Sequence, residues 1–224
     1  MLLIYIFIII ILVIVLSIKQ IIVENFKTFS NTQELGLDEK DIINRGINFD
    51  AEQIINKIPL IQYPNIEKTN NEINILLKYQ NDYKKNKVIP QGIKELDMTN
   101  ELNDYDISDK EKNKILLFIE NTVDPIIFHF KTKFNRVRPS YYDNRVKPWL
   151  SVPNHPSYPS GHSVQSFMIA HILSKKYPHK KFIYFSRAKQ ISLNREIMGL
   201  HYPSDTKYGK IIAKYINENT NFYI

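Results

Sequence analysis

The chain has 224 residues, 43% hydrophobic and 24% charged, with 11 Pro, 6 Gly and a formal charge of +7 at pH 7. That length and apolar content suit one globular body with an appendage, and exclude a disordered chain, a collagen-like repeat and a continuous heptad rod. Without a single Cys, disulfides, thiolate metal sites and a Cys nucleophile are excluded together. The positive charge calls for anionic partners without choosing among them. No zinc-finger spacing or basic-aromatic stripe is present, so nucleic acid is set aside.

Residues Met1 to Ile18 carry no charged side chain, and Leu2–Leu16 is almost pure Ile, Leu, Val and Phe. As a helix, eighteen residues span roughly 27 Å, close to the hydrocarbon core of a bilayer. Ile21, Ile22 and Val23 extend it if Lys19 snorkels. A cleaved signal peptide would want a basic start and a small-residue cleavage site, and neither is there. The expectation is an uncleaved single-pass transmembrane anchor over 1–23. Lys19 and Lys27 follow the run and lean toward a cytoplasmic body, but two charges do not fix the side.

A polar connector is expected over 24–60, with a short helix around Glu39–Asn44, followed by a helical body over 61–224. Thr69 and Glu72 have the spacing of a capping box ahead of Ile73, Leu76 and Leu77. Asp109–Phe130 has an apolar stripe at helical spacing through Ile115, Ile119, Val123, Ile126 and Ile127, running across Pro125. An irregular, Pro-rich stretch covers Arg138–Pro159. Helical patterns resume over Ser163–Lys175, Lys181–Leu200 and Ser204–Asn217. No segment alternates as a strand would, so the body is expected to be an all-α helical bundle. None of these later helices is both long and apolar enough to span a membrane.

Three clusters carry the chemistry. They are Lys131 followed seven residues on by Arg138-Pro139; Pro159-Ser160-Gly161-His162 ahead of a helical run; and Arg195, His201 and Asp205. In a chain with 24 Lys and only 6 Arg, five of the Arg fall between 136 and 195. Lys would serve where charge alone is wanted, so Arg there suggests forked recognition of an oxyanion. Ser160 and Gly161 at a helix start offer backbone N–H groups to an anion. Of two histidines, one can attack phosphorus while the other protonates the leaving oxygen. Asp205, four residues after His201, can set the tautomer of the attacking imidazole. Singly, each element has a plainer role: a solvated basic face, a turn and N-cap, a helix-end carboxylate. Lys133, Arg136, Arg145, His155, His171 and Arg187 are read in that plainer way.

Taken together, the three clusters resemble the signature of the type 2 phosphatidic acid phosphatase superfamily. That superfamily includes bacterial class A acid phosphatases, lipid phosphate phosphatases and vanadium-dependent haloperoxidases. Ser157-Tyr158 before the second cluster, and Gly199-Leu200-His201-Tyr202-Pro203-Ser204-Asp205 with Gly209 in the third, agree with it, and the similarity runs over about residues 61–217. The resemblance implies His201 as a nucleophile forming a phosphohistidine, His162 as the acid and then the base, and Asp205 as the partner orienting His201. It implies Lys131, Arg138 and Arg195 as the oxyanion clamp, helped by Ser160 and Gly161. Asn194 departs from the Ser that usually precedes the third-cluster Arg. The function so implied is a membrane-anchored phosphatase acting on phosphomonoesters, lipid phosphates included, with no metal and no cofactor. The alternatives are a vanadium haloperoxidase and a non-catalytic, membrane-tethered phosphate-binding protein.

Overall fold

The structure, a computed structural model, describes residues 49–86 and 102–224. The expected anchor over 1–23, the helix around Glu39–Asn44 and the connector before Phe49 lie outside the described residues. Eight α-helices are found among those described: α1 (Phe49–Ile55), α2 (Ile66–Asn86), α3 (Asp109–Phe118), α4 (Asp124–Phe134), α5 (Pro139–Tyr142), α6 (Gly161–Lys176), α7 (Lys181–Ile197) and α8 (Pro203–Glu218). A π-helical segment, Ile119–Val123, joins α3 to α4, and a 3₁₀ turn, Pro178–Lys180, joins α6 to α7. The described body is all-α, as expected, and among these residues no helix is long and apolar enough to cross a membrane.

Helix α6 is the axis of the bundle. Val164, Phe167, Met168, Ile169, Ala170, Ile172 and Leu173 are all buried, so apolar residues surround it on nearly every side, as suits a helix with neighbours on all faces. It packs most extensively against α7 and α8. Ile126, Ile127 and Phe130 of α4 join the same core. There an aromatic group formed by Phe130, Phe134, Tyr158 and Tyr208 closes one end, with Tyr158 stacked on Tyr208 at 4.8 Å between ring centroids. The core also takes in Ala51, Ile54, Ile55 and Ile58, from the stretch read as connector.

Several local expectations are corrected. Thr69 and Glu72 do not cap a helix: α2 begins at Ile66, where the Asn65 side chain accepts from Lys68 N–H. The same Ser/Thr-x-x-Glu spacing does make a capping box at Ser108 and Glu111, ahead of α3. Asp109–Phe130 is not one α-helix. Pro125 has no N–H for an α-type bond and its ring crowds the preceding turn, and the chain widens into the π segment just before it. The helix then runs on to Phe134, ending at Asn135 in the left-handed conformation. Helix α7 stops at Ile197 rather than Leu200, because Gly199 has φ +73°. Gly199 N–H binds Glu196 O and Leu200 N–H binds Arg195 O, the paired bonds of a Schellman stop. A Cβ on Gly199 would lie 2.8 Å from Val146.

Candidate active site

The helix ends converge at one place. The start of α6 brings Gly161 and His162, and the last turn of α7 brings Arg195. The Schellman turn delivers His201, and α8 opens with Asp205 at its third position. Gly209 allows this convergence: a Cβ there would lie 2.9 Å from Ser160 O and 3.0 Å from Ser163 Cβ, so only Gly lets α8 lie against the first turn of α6. Ser160 N–H also donates to Asp205 O across that contact. Helix α4 supplies Lys131, and the extended chain after it supplies Arg138.

These residues enclose a cavity of about 120 Å³ whose walls include Lys131, Arg138, Gly161, His162, Arg195 and His201. Six of the eight residues expected at the site therefore line one space. Asp205 and Ser160 stand behind it. Ser160 Oγ accepts from Ser163 N–H and Oγ–H, capping α6. Asn194 is buried and its Oδ1 accepts from Gln190; it is not part of the cavity wall. His155, Phe128, Gln165 and Asp124 complete much of the wall, and the sequence pattern singles out none of them for the site.

His201 is 3% exposed and Asp205 0%. His201 Nδ1 lies 3.1 Å from Asp205 Oδ2, and Nε2 lies 3.0 Å from an Arg138 guanidinium nitrogen. Arg138 can only donate, so Nε2 accepts there and Nδ1 carries the proton given to Asp205. Burial, reinforced by the Arg138, Lys131 and Arg195 charges, holds the His201 pKa well below its ordinary value. The imidazole is thus neutral, with a lone pair at the atom that faces the cations. Arg138 also donates to Leu200 O and His155 O and lies 3.1 Å from His155 Nδ1, while Lys131 Nζ donates to Pro156 O. Burial and the same cations keep His155 neutral as well. Carbonyl and imidazole partners aim these cations at the cavity.

Behind Asp205 lies a second network, built on Arg136, a residue whose local sequence suggests only an ordinary basic side chain. Arg136 donates to Asp205 Oδ1 at 2.6 Å, to Ser204 Oγ at 2.7 Å and to Glu72 Oε2 at 2.9 Å. Its guanidinium carbon lies 3.6 Å from the Tyr202 ring centroid. Glu72 also accepts from Ser204 N–H. Asp205 Oδ2, held by Tyr202 N–H, is left pointing at His201. No local sequence signal exposes this network: the Thr69-x-x-Glu72 spacing reads as a helix cap, and only the fold shows Glu72 inside α2 and bound to Arg136.

Among the described residues no group of three or more His, Asp or Glu side chains is placed to hold a metal ion. A pocket of fixed cations at a helix start, with a neutral imidazole on its floor, can bind a tetrahedral oxyanion and present a nucleophile to it.

Residues 115–216 match the model of the PAP2 superfamily, and that span holds all three motifs. Over that span the chain is a member of the PAP2 superfamily. Among solved structures it resembles a bacterial vanadium-dependent iodoperoxidase, with a TM-score of 0.60 at 16% identity over 88% of this chain and 61% of that one. At that identity the likeness is one of fold, and this chain spans about three fifths of the iodoperoxidase's length. No curated protein matches the sequence.

Proposed function

We propose that the protein is a phosphatase that hydrolyses phosphomonoesters through a phosphohistidine on His201, tethered to a membrane by residues 1–23. The observation that carries the reading is the state of His201: neutral, with Nδ1–H bound to Asp205 and Nε2 directed into the cation-lined cavity. In the reaction, phosphate oxygens take the donors of Arg138, Lys131, Arg195 and the first turn of α6, which releases Nε2 from Arg138. Nε2 attacks phosphorus and the bond to the leaving oxygen breaks on the opposite side. That oxygen takes a proton from His162, and the cationic phosphoimidazole is steadied by Asp205. Water then attacks the phosphorus, giving its proton to His162, the N–P bond breaks, and inorganic phosphate leaves. An intact pair of histidines with an orienting Asp favours turnover over simple phosphate binding, which needs only the cations.

Vanadate resembles the five-coordinate phosphorus of this reaction, and the same His201 and cations would hold it. Bound there it would supply the peroxide activation of a haloperoxidase, which is the second reading. Halide oxidation by the vanadate-loaded protein with peroxide tests that reading directly.

The phosphatase mechanism is tested by separating the two histidines. His201→Ala is expected to abolish turnover on every ester. His162→Ala is expected to lose about 10²–10⁴-fold on an alkyl phosphate, which needs the proton. It should lose far less in the first step on p-nitrophenyl phosphate, giving a burst followed by slow turnover and an acid-labile phosphate on His201. A burst retained by His201→Ala would overturn the assignment.

A further inference from the structure

Among the residues lining the cavity, Asp124 is the one carboxylic acid in a wall otherwise rich in cations. It opens α4, immediately after the π segment. A π turn rotates the residues beyond it relative to an unbroken α-helix. Asp124, Phe128 and Lys131 then fall on one face of α4 at helical spacing, and all three line the cavity. Lys131 is buried on the floor, and Asp124 stands roughly 10 Å back along the helix axis at 1.5 Å per residue, half-buried at the rim. From the facing helix, Gln165 Nε2 donates to Asp124 Oδ1 at 2.8 Å, one turn beyond His162.

This position has a meaning once the direction of attack is set. Displacement at phosphorus is in line, which sends the leaving group away from His201; with His162 as its proton donor, it departs along the first turns of α6, where Gln165 stands one turn on and binds Asp124. Resting on the phosphatase reading, we infer that Asp124, fixed by Gln165, reads the leaving group: it favours monoesters whose alcohol carries a hydroxyl or ammonium close to the ester oxygen, and it disfavours diphosphates. One carboxylate oxygen is taken by Gln165, and the other is available to accept from such a donor. A second phosphate in the same place would set two negative charges against each other at a partly desolvated rim, where Coulomb repulsion is several-fold stronger than in water. Desolvation by burial lifts the Asp124 pKa to about 6, so the group is mostly ionised at neutral pH.

The test compares three simple substrates at neutral pH: 2-hydroxyethyl phosphate, ethyl phosphate and inorganic pyrophosphate. The two esters differ by one hydroxyl. The wild-type protein is expected to prefer the hydroxylated ester in kcat/KM by about tenfold, the size of one hydrogen bond to a charged acceptor. Asp124→Ala should bring that ratio close to one. Asp124→Asn, which keeps an acceptor for Gln165 but removes the charge and turns the second oxygen into a donor, should raise pyrophosphate relative to ethyl phosphate by about tenfold. Wild-type turnover with both ratios unmoved in the two variants overturns the inference and leaves the phosphatase reading standing. If the wild type turns over none of these substrates, nor p-nitrophenyl phosphate, the phosphatase reading is overturned and this inference falls with it.

Discussion

Arg136 and Arg138 are both almost fully buried and only two positions apart, yet they serve opposite ends. Arg136 holds two carboxylates, Glu72 and Asp205, and lies on the face of Tyr202. Arg138 holds carbonyl oxygens and imidazoles. A buried cation matched by carboxylates is spent on structure, since its charge is already compensated where it stands. The Arg138 contacts with Leu200 O, His155 and His201 are to neutral acceptors, so an anion entering the cavity beside them meets a positive wall. The same residue type, in the same short segment, builds the support in one case and lines the candidate site in the other.

Breaking the compensated side should have the largest effect. Arg136→Met leaves Asp205 and Glu72 buried without their cation, a loss in the range of about 3–5 kcal/mol. A fall in Tm of roughly 10 °C or more is expected by calorimetry for a body of this size. Turnover should fall too, because Asp205 loses the contact that aims it at His201, and Arg136→Lys should recover part of both. A Tm within a degree or two of wild type would show that Arg136 does not carry the load assigned to it.

Breaking the other side should separate activity from stability. On the proposed mechanism Arg138→Met removes a donor aimed at the developing oxyanion, and kcat/KM should drop by roughly 10²–10³-fold. Its Tm should fall less than that of Arg136→Met, since no carboxylate of the Arg136 network loses its partner. Steady-state kinetics and a melt on the same two variants give the crossing pattern, and parallel losses would erase the distinction.

A smaller, pH-dependent effect sharpens the comparison. Glu196 is buried beside the supporting network, and desolvation, with the Asp205 and Glu72 charges, raises its pKa from 4.5 to about 7. A carboxyl whose folded-state pKa is raised binds its proton more tightly in the folded chain. Its stabilising effect is therefore full below pH 4.5 and fades as pH rises toward 7. Above that, the buried charge opposes folding by at most about 3 kcal/mol. Glu196→Gln, neutral at every pH, should melt higher than wild type at pH 8 and close to it at pH 4.5. Equal differences at the two pH values would contradict this account.

Much of the helical body was legible from local pattern. The apolar spacing in α6, α7 and α8 located those helices to within a few residues, because amphipathic period and terminal signals are properties of short segments. That six of the motif residues share one cavity was foreshadowed by their types, since the proposed phosphate chemistry calls for forked cations, a helix start and a paired imidazole and carboxylate. Those demands hold whatever the surrounding packing. The stretch of α4 was legible in composition but not in shape, since the π segment before Pro125 had the same apolar stripe as an unbroken helix.

What only the tertiary structure decided was which of two identical patterns meant what. Thr69-x-x-Glu72 and Ser108-x-x-Glu111 share one spacing, yet Glu111 caps a helix while Glu72 reaches Arg136 and Ser204, partners 64 and 132 positions along the chain. Nothing within a few residues of Glu72 announces that partner. The same holds for Asp124, whose place at the cavity rim comes from the π turn before it and from Gln165 on a different helix. The sequence determined which side chains were on hand for binding an oxyanion and for nucleophilic attack. The close approach of α8 to the start of α6, permitted by Gly209, sets Asp205 against Ser160, where its carboxylate meets both His201 and Arg136. A buried charge takes its role from neighbours in space, and only the folded chain brings them within reach.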